Sequence, residues 1–387
     1  MLRLTFIVCA LVAAMACGRA APVVERHDRV VVPGREPVEV LVLAAPQRGG
    51  DADRDLRAAS ASIRMLSVWF GALQPRAITL ADRVGGDASA QAIVVPPIAR
   101  WSAPGAMVPE LALARAVSRH YWTALFDSSS LPGPFVDGLI EYSARRSVEP
   151  LFQSQNQPPG YAMVDVRLFG GLVPLRTRLR LTPETGDRAV VAIDTLERWL
   201  SRPVLDGALA DFIASSRGRT PGLGDLEETI SSASGQDLSW LFAQALDGTA
   251  DFDYAVAGLS TARDADGRFT TTVVVERRGT GIFSGTAQPR VGPFESGAGV
   301  VLQTTFADGR EIRDTWDGRD ASRRFVYQGP SPAVWAVVDP DRVIALDAER
   351  TNNSRTLRPR SSTAASRWAA RWSLWLENLL MTYTFFI

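Results

Sequence analysis

Four charged residues stand at spacings that could do chemistry. Arg115 and Arg119 stand four apart in ALARAVSRHYW (112–122), and Asp137 and Glu141 stand four apart in GPFVDGLIEYSARR (133–146). Positions i and i+4 share one side of a helix, so two cations and two anions each form a row. A guanidinium stays protonated, donates only, and offers no lone pair to a metal. Taken alone, an arginine pair at this spacing is a solvated helix face. Set near Asp137 and Glu141, it can instead pair with one of those carboxylates. His120 is a candidate ligand for a metal shared with Asp137 or Glu141, but one imidazole makes a weak zinc set. A histidine packed in a helical core is the plainer reading.

The residue counts exclude much else. The chain has 387 residues, 42 basic and 42 acidic side chains, no lysine, and only two histidines, His27 and His120. A net charge of zero leaves no nucleic-acid footprint. Both cysteines, Cys9 and Cys17, fall at the extreme N-terminus, so no disulfide framework or thiolate zinc site forms downstream. No G-x-S-x-G elbow is present. Residues 1–16 have a basic start, an apolar run and a small-x-small end, the pattern of a secretory signal. Cys17 directly after it is a candidate lipid anchor, with plain secretion the alternative.

The elements that must position the charged rows follow from periodicity. EPVEVLVLAA (36–45) is a strand, 52–73 an apolar-striped helix, and PRAITLAD and AQAIVVPP are short strands. In the helix that carries the arginines, Leu111, Ala114, Val117, Tyr121 and Leu125 form the apolar stripe. Arg115 and Arg119 border it, in a row with Ala112 and Trp122. A second helix runs from about Asp137 to Arg146 and breaks at the Pro-rich EPLFQSQNQPPG. RAVVAIDTLERWL, PVLDGALADFIASSR, GDLEETISSASG and DLSWLFAQAL predict four more helical segments. The Asp225–Glu228 cluster fits a helix N-terminus, where negative charge suits the dipole. Asp251 and Asp253 lie in a loop before the next domain, with calcium the minor alternative. From about residue 254, D-G turns between β-branched runs predict hairpins of a small sandwich, with three short strands between Arg323 and Glu349. The tail SRWAARWSLWLENLLMTYTFFI is too short in apolar residues to span a bilayer. It suits an interfacial or partner-buried helix, or one packed on the chain itself.

In this order, GPFVDGLIEYSA, DTLERWL, SGQDLSWLFAQAL, FDYAV, FADGREIRDTWDG and VDPDRVIALDAERTNNS resemble the gluzincin, alanyl-aminopeptidase-like zinc peptidases. The resemblance spans about residues 56–355. In that family H-E-x-x-H on one helix and an acidic residue on the next hold zinc, and the motif glutamate activates the bound water. Laid on that frame, Arg115 takes the place of the first histidine, Ala116 of the general base and Arg119 of the second histidine. Asp137 falls at or beside the third ligand, in a spacing one residue shorter than usual. Gly186 takes the place of the oxyanion-stabilising tyrosine, two residues before Arg188. The G-x-M-E-N exopeptidase motif is absent, and the GAM at 105–107 lies too close to the helix to replace it.

The resemblance implies an α+β protein. After a flexible segment (17–35) comes a thermolysin-like mixed α/β to helical domain (36–252), whose helical subdomain begins near 186. An all-β sandwich (253–349) and a C-terminal aromatic-rich helix (350–387) follow. The large leading β domain of the family has no room here. The expected function is that of a catalytically dead relative, exported to the periplasm or cell envelope. It would bind a peptide, an envelope protein, or a membrane surface through residues 364–387. His120, Trp122, Glu141 and Tyr142 are the candidate pocket lining. In this reading an arginine stands in for the metal's charge and pairs with Asp137 or Glu141. No cofactor is expected. Two alternatives stay open: an active metallopeptidase with a non-standard zinc site, and a structural subunit of an envelope assembly.

Overall fold

A computed structural model describes residues 23–71, 76–82, 92–95, 108–126, 133–153, 187–285, 299–358 and 369. The signal segment, Cys17, the GAM at 105–107, Gly186 and almost all of the tail lie outside the described residues.

The described residues open with a four-stranded sheet, β1 (Val24–Val30), β2 (Val38–Ala44), β3 (Ala77–Ala81) and β4 (Ile93–Val94), in that spatial order. β1 is antiparallel to β2, whereas β2, β3 and β4 are parallel. Helix α1 (Ala52–Phe70) forms the crossover between β2 and β3. It covers the face presented by Val38, Val40, Val42 and Ala44, all of them buried.

β1 corrects the expectation that 17–35 is flexible. The segment VERHDRV pairs with β2 over its whole length. Its inward positions are partly polar, which hid the alternation. Asp28 accepts from Ser60 Oγ at 2.5 Å, and Arg26 donates to Asp53 at 2.7 Å, both on α1.

Two helices then pair, α2 (Val108–Thr123) and α3 (Pro134–Gln153). α3 is longer than the sequence suggested. It begins three residues earlier and continues past Pro150, which has no N–H to give the carbonyl one turn back. Its second turn packs against α4 (Asp187–Leu200) so closely that a Cβ on Gly138 would collide with the Ala189 side chain and meet backbone at 3.0 Å. Helices α5 (Arg202–Ser215) and α6 (Leu223–Ser234) follow. Asp225 accepts from the Gly222 backbone N–H at 2.7 Å, capping α6 in its first turn. The expected fourth segment is a short turn, Ser239–Leu241, running into a π-helical turn, Phe242–Leu246. Among the described residues no helix is long and apolar enough to cross a membrane.

The remainder is a two-sheet sandwich. One sheet has the order β11–β10–β7–β8 and the other β5–β6–β9. Its strands are β5 (Tyr254–Arg263), β6 (Phe269–Arg277), β7 (Val300–Phe306), β8 (Glu311–Trp316), β9 (Ser322–Gly329), β10 (Ala333–Val338) and β11 (Ser354–Thr356). Gly267 and Gly309 take the positive φ, 80° and 85°, that the D-G turns demand. The last of the three expected short strands is not there. Residues 341–349 hold turns and one isolated bridge, Asp347 to Phe252, and the strand comes later, at β11, beyond the expected boundary at 349.

The apolar core runs without a break from α1 through the helices into the sandwich. At the joint, Trp199, Trp240 and Phe283 cluster with ring centroids 5.1–5.7 Å apart. The Gln244 side chain there exchanges two hydrogen bonds with the Ile282 backbone, at 2.8 and 3.0 Å.

Candidate functional site

α2 buries Leu111, Leu113, Ala114, Val117, Tyr121 and Trp122, a broader stripe than the sequence indicated. That leaves Arg115 and Arg119 on the flank beside α3. The two rows meet in opposite chain directions. Arg115 grips Glu141 with two nitrogens, Nε to Oε2 and Nη2 to Oε1, the latter at 2.9 Å. One turn on, Arg119 Nη2 lies 3.3 Å from Asp137 Oδ1. Arg145 adds a second cation to Glu141, Nε to Oε1 at 2.9 Å, and stands 3.8 Å from Asp194 of α4.

The two pairs differ in depth. The Glu141 side chain is 17% exposed, against 43% for Asp137 and 60% for Arg119. The inner pair is therefore a charge-assisted clamp between helices, and the outer one is a surface pair of small worth. Ala116 packs against the core beside them.

Burial alone raises the Glu141 carboxyl. The hydrogen bonds and charges of Arg115 and Arg145 outweigh that, so it sits below the usual glutamate range. A carboxylate with a depressed folded-state pKa stabilises the fold above its unfolded pKa and loses that contribution as pH falls. Wild type should accordingly exceed Glu141→Gln in stability by about 1 kcal/mol at neutral pH, discounted for the half-exposed Arg115. Urea melts from about pH 6 down to about pH 3 should show the gap closing. A gap independent of pH would contradict the clamp.

The aromatic pocket lining expected from the sequence is corrected. Trp122 is fully buried, edge-on to Phe70 at 5.0 Å, and its Nε1 donates to Ser143 Oγ at 2.8 Å. Tyr142 is likewise buried, stacked on Trp69 with centroids 6.1 Å apart, and donates to Glu197 Oε2 at 2.7 Å. α1 crosses behind both helices, and Trp69 and Phe70 at its end draw the two aromatics inward. Of the four candidates, His120 is exposed and Glu141 half-buried. Burial of part of its ring lowers the His120 pKa, favouring the neutral imidazole, which lies edge-on to Tyr121 at 6.3 Å.

Zinc does not fit the residues present. The two positions that the resemblance assigns to imidazoles hold cations already engaged by carboxylates, and neither offers a lone pair. Among the described residues no group of three or more His, Cys, Asp and Glu is arranged to hold a metal ion.

Two charged centres escaped the sequence reading. Arg188, two residues after Gly186, is 3% exposed. It donates to the carbonyls of Ala245 at 2.7 Å, Gln244 at 2.9 Å, and Ala250, closing the end of the π-helical turn. Arg146 pairs with Asp206, Nη2 to Oδ2 at 3.1 Å, and lies over the Trp69 and Tyr142 rings at 5.4 and 5.6 Å. The Trp69 indole also donates to Asp206 at 3.0 Å, while Arg202 joins Glu197 to Glu149. The clue to this second centre was Arg146, Glu197 and Asp206 falling beside the apolar stripes of three consecutive helices.

No family model matches the chain, and no curated protein matches it. Among solved structures it is similar to Legionella pneumophila aminopeptidase A in complex with aspartic acid. That likeness has 12% identity and a TM-score of 0.49, and it covers 84% of this chain and 38% of that one. The likeness is distant. This chain spans under two fifths of that protein's length.

Proposed function

We propose that this protein is an exported, peptidase-like scaffold that binds rather than hydrolyses. The observation that carries the proposal is the Arg115–Glu141 clamp, with Arg119–Asp137 beside it. In the aligned frame these positions would bind zinc, activate its water and hold the third ligand. Here they form ion pairs, and Ala116 has no group to accept a proton. With imidazoles, base and oxyanion donor all replaced at the positions that the resemblance assigns, those positions supply none of the groups that water attack on a peptide bond needs.

Trp122 and Tyr142 are committed to the core, so the aromatic peptide groove expected from the sequence is not part of this reading. The exposed chemistry at the rim consists of Arg119, His120 and Asp137, a mixed-charge surface suited to a polar protein or peptide ligand. Attachment to the envelope, by Cys17 or by residues 364–387, is the second half of the proposal. It rests on the sequence of those segments.

Hydrolysis of aminoacyl amides and short peptides by the purified chain tests the first half. The expected result is no turnover above the blank, with or without a chelator. Turnover that a chelator abolishes would establish the metallopeptidase alternative. Fractionation of cells that carry a chain lacking residues 364–387 tests the second half: release from the envelope supports tail attachment, and an unchanged distribution refutes it.

A further inference from the structure

Six strands lie at sheet edges among the described residues, and five of them are closed to a further strand. An edge exposes a row of unpaired N–H and C=O groups, which proteins shorten, bulge, charge or cover. β4 has two residues and β11 three. β1 turns its own side chains on its backbone: Asp28 Oδ1 accepts from the Arg29 N–H at 2.8 Å, and Arg26 donates to Glu25 O at 2.9 Å. β5 is bulged between Val256 and Gly258 and covered there by the β11 segment. Its Val256 N–H donates to Asn352 O at 3.0 Å, and Arg355 donates to Ala257 O at 2.7 Å. β8 sets a charge on its inner face: Asp314, opposite the buried Leu302, accepts from the Tyr327 hydroxyl at 2.5 Å.

β9 is the exception. It runs for eight residues, pairs with β6 without a shift of register, and contains no proline. Among the described residues no hydrogen bond reaches its backbone from the side away from β6. Phe325 and Tyr327 face inward, opposite the buried Val273 and Thr271. Arg324, Val326 and Gln328 face outward, opposite Val274, Thr272 and Thr270, and Val326 is 56% exposed. Neither Arg323 nor Arg324 pairs with a carboxylate among the described residues. Arg323 lies over the Phe325 ring at 4.9 Å, and Glu276, opposite Ser322 on β6, is taken by Arg278 at 3.4 Å.

We propose that the free edge of β9 takes an extended segment of a partner protein as a further strand, with acidic side chains beside Arg324 and apolar ones beside Phe325. In this mode of recognition main-chain pairing supplies the affinity and alternate side chains the specificity. The charge of the strand selects the occupant. A second copy of this chain, paired β9 to β9, would bring four arginines and no carboxylate to one seam, because SRRFVYQG holds no acid. The surface lies on the sandwich and does not rest on the Arg115–Glu141 site.

Fluorescence anisotropy of a labelled, end-blocked peptide alternating glutamate and valine, titrated with the full chain, tests this. As a strand the peptide carries its glutamates on one face and its valines on the other. Saturable binding is expected. Exchanging the glutamates for lysines should weaken it about tenfold, and Arg324→Glu should reverse that preference. N-methylation of every peptide amide keeps the charges and removes the donors, so it should abolish binding to the wild-type chain. Absence of saturable binding by the glutamate peptide overturns the proposal. A preference that Arg324→Glu leaves unchanged overturns it too, as does equal binding of the N-methylated peptide, which would mean charge attraction without strand pairing. Dimers of the chain that the peptide fails to dissociate would give the edge to a second copy, and the proposal likewise fails.

Discussion

Arg188→Ala should lose about 3–5 kcal/mol of stability, the largest effect of any single substitution at the polar centres described above. The wild-type guanidinium is 3% exposed and serves three backbone carbonyls at the end of the π-helical turn. Removing it strands those acceptors where water reaches them poorly. It also frees the turn that carries Gln244, whose side chain holds the Ile282 backbone across the joint. Arg188→Lys should recover only part of the loss, because one ammonium cannot reproduce the planar fork. Urea melts followed by far-ultraviolet circular dichroism measure this. A loss under about 1 kcal/mol for Arg188→Ala would show that the carbonyls find other donors.

Arg146→Ala comes next, with an expected loss of about 2–4 kcal/mol. The substitution takes away a half-buried ion pair and a cation lying over two stacked rings. Asp206 keeps the Trp69 indole as a donor, which sets the loss below that of a stranded charge. Most of the penalty comes from the unpaired carboxylate, so adding Asp206→Asn to Arg146→Met should restore stability relative to Arg146→Met alone. A double-mutant cycle in urea reads the coupling. Strictly additive losses would mean that the pair contributes nothing beyond its packing.

Both residues mark where sequence reading stopped. The helices were legible because their apolar stripes are strong, and so were the hairpins, because D-G fixes a turn at Gly267 and Gly309. The rows Arg115–Arg119 and Asp137–Glu141 were legible too, since i, i+4 spacing is local. What a local pattern cannot show is which partner a polar side chain meets far along the chain. Arg188 and Ala245 are 57 residues apart, and Arg146 and Asp206 are 60 apart. β1 shows no apolar alternation because its inward face sets Arg26 and Asp28, both paired with α1, between Val24 and Val30. Trp122 and Tyr142 were assigned to a pocket because aromatics beside a charged row suit a cleft as well as a core. Only the path of α1 behind both helices decides between the two.

Guanidinium groups stand at the two positions where a zinc peptidase would need imidazoles. Zinc content of the purified full chain, measured by mass spectrometry after incubation with excess zinc and exhaustive dialysis, tests this most directly. No stoichiometric metal is expected, and the same content in Arg119→Ala as in wild type. One zinc per chain, lost when Asp137 or Glu141 is replaced by alanine, would contradict it.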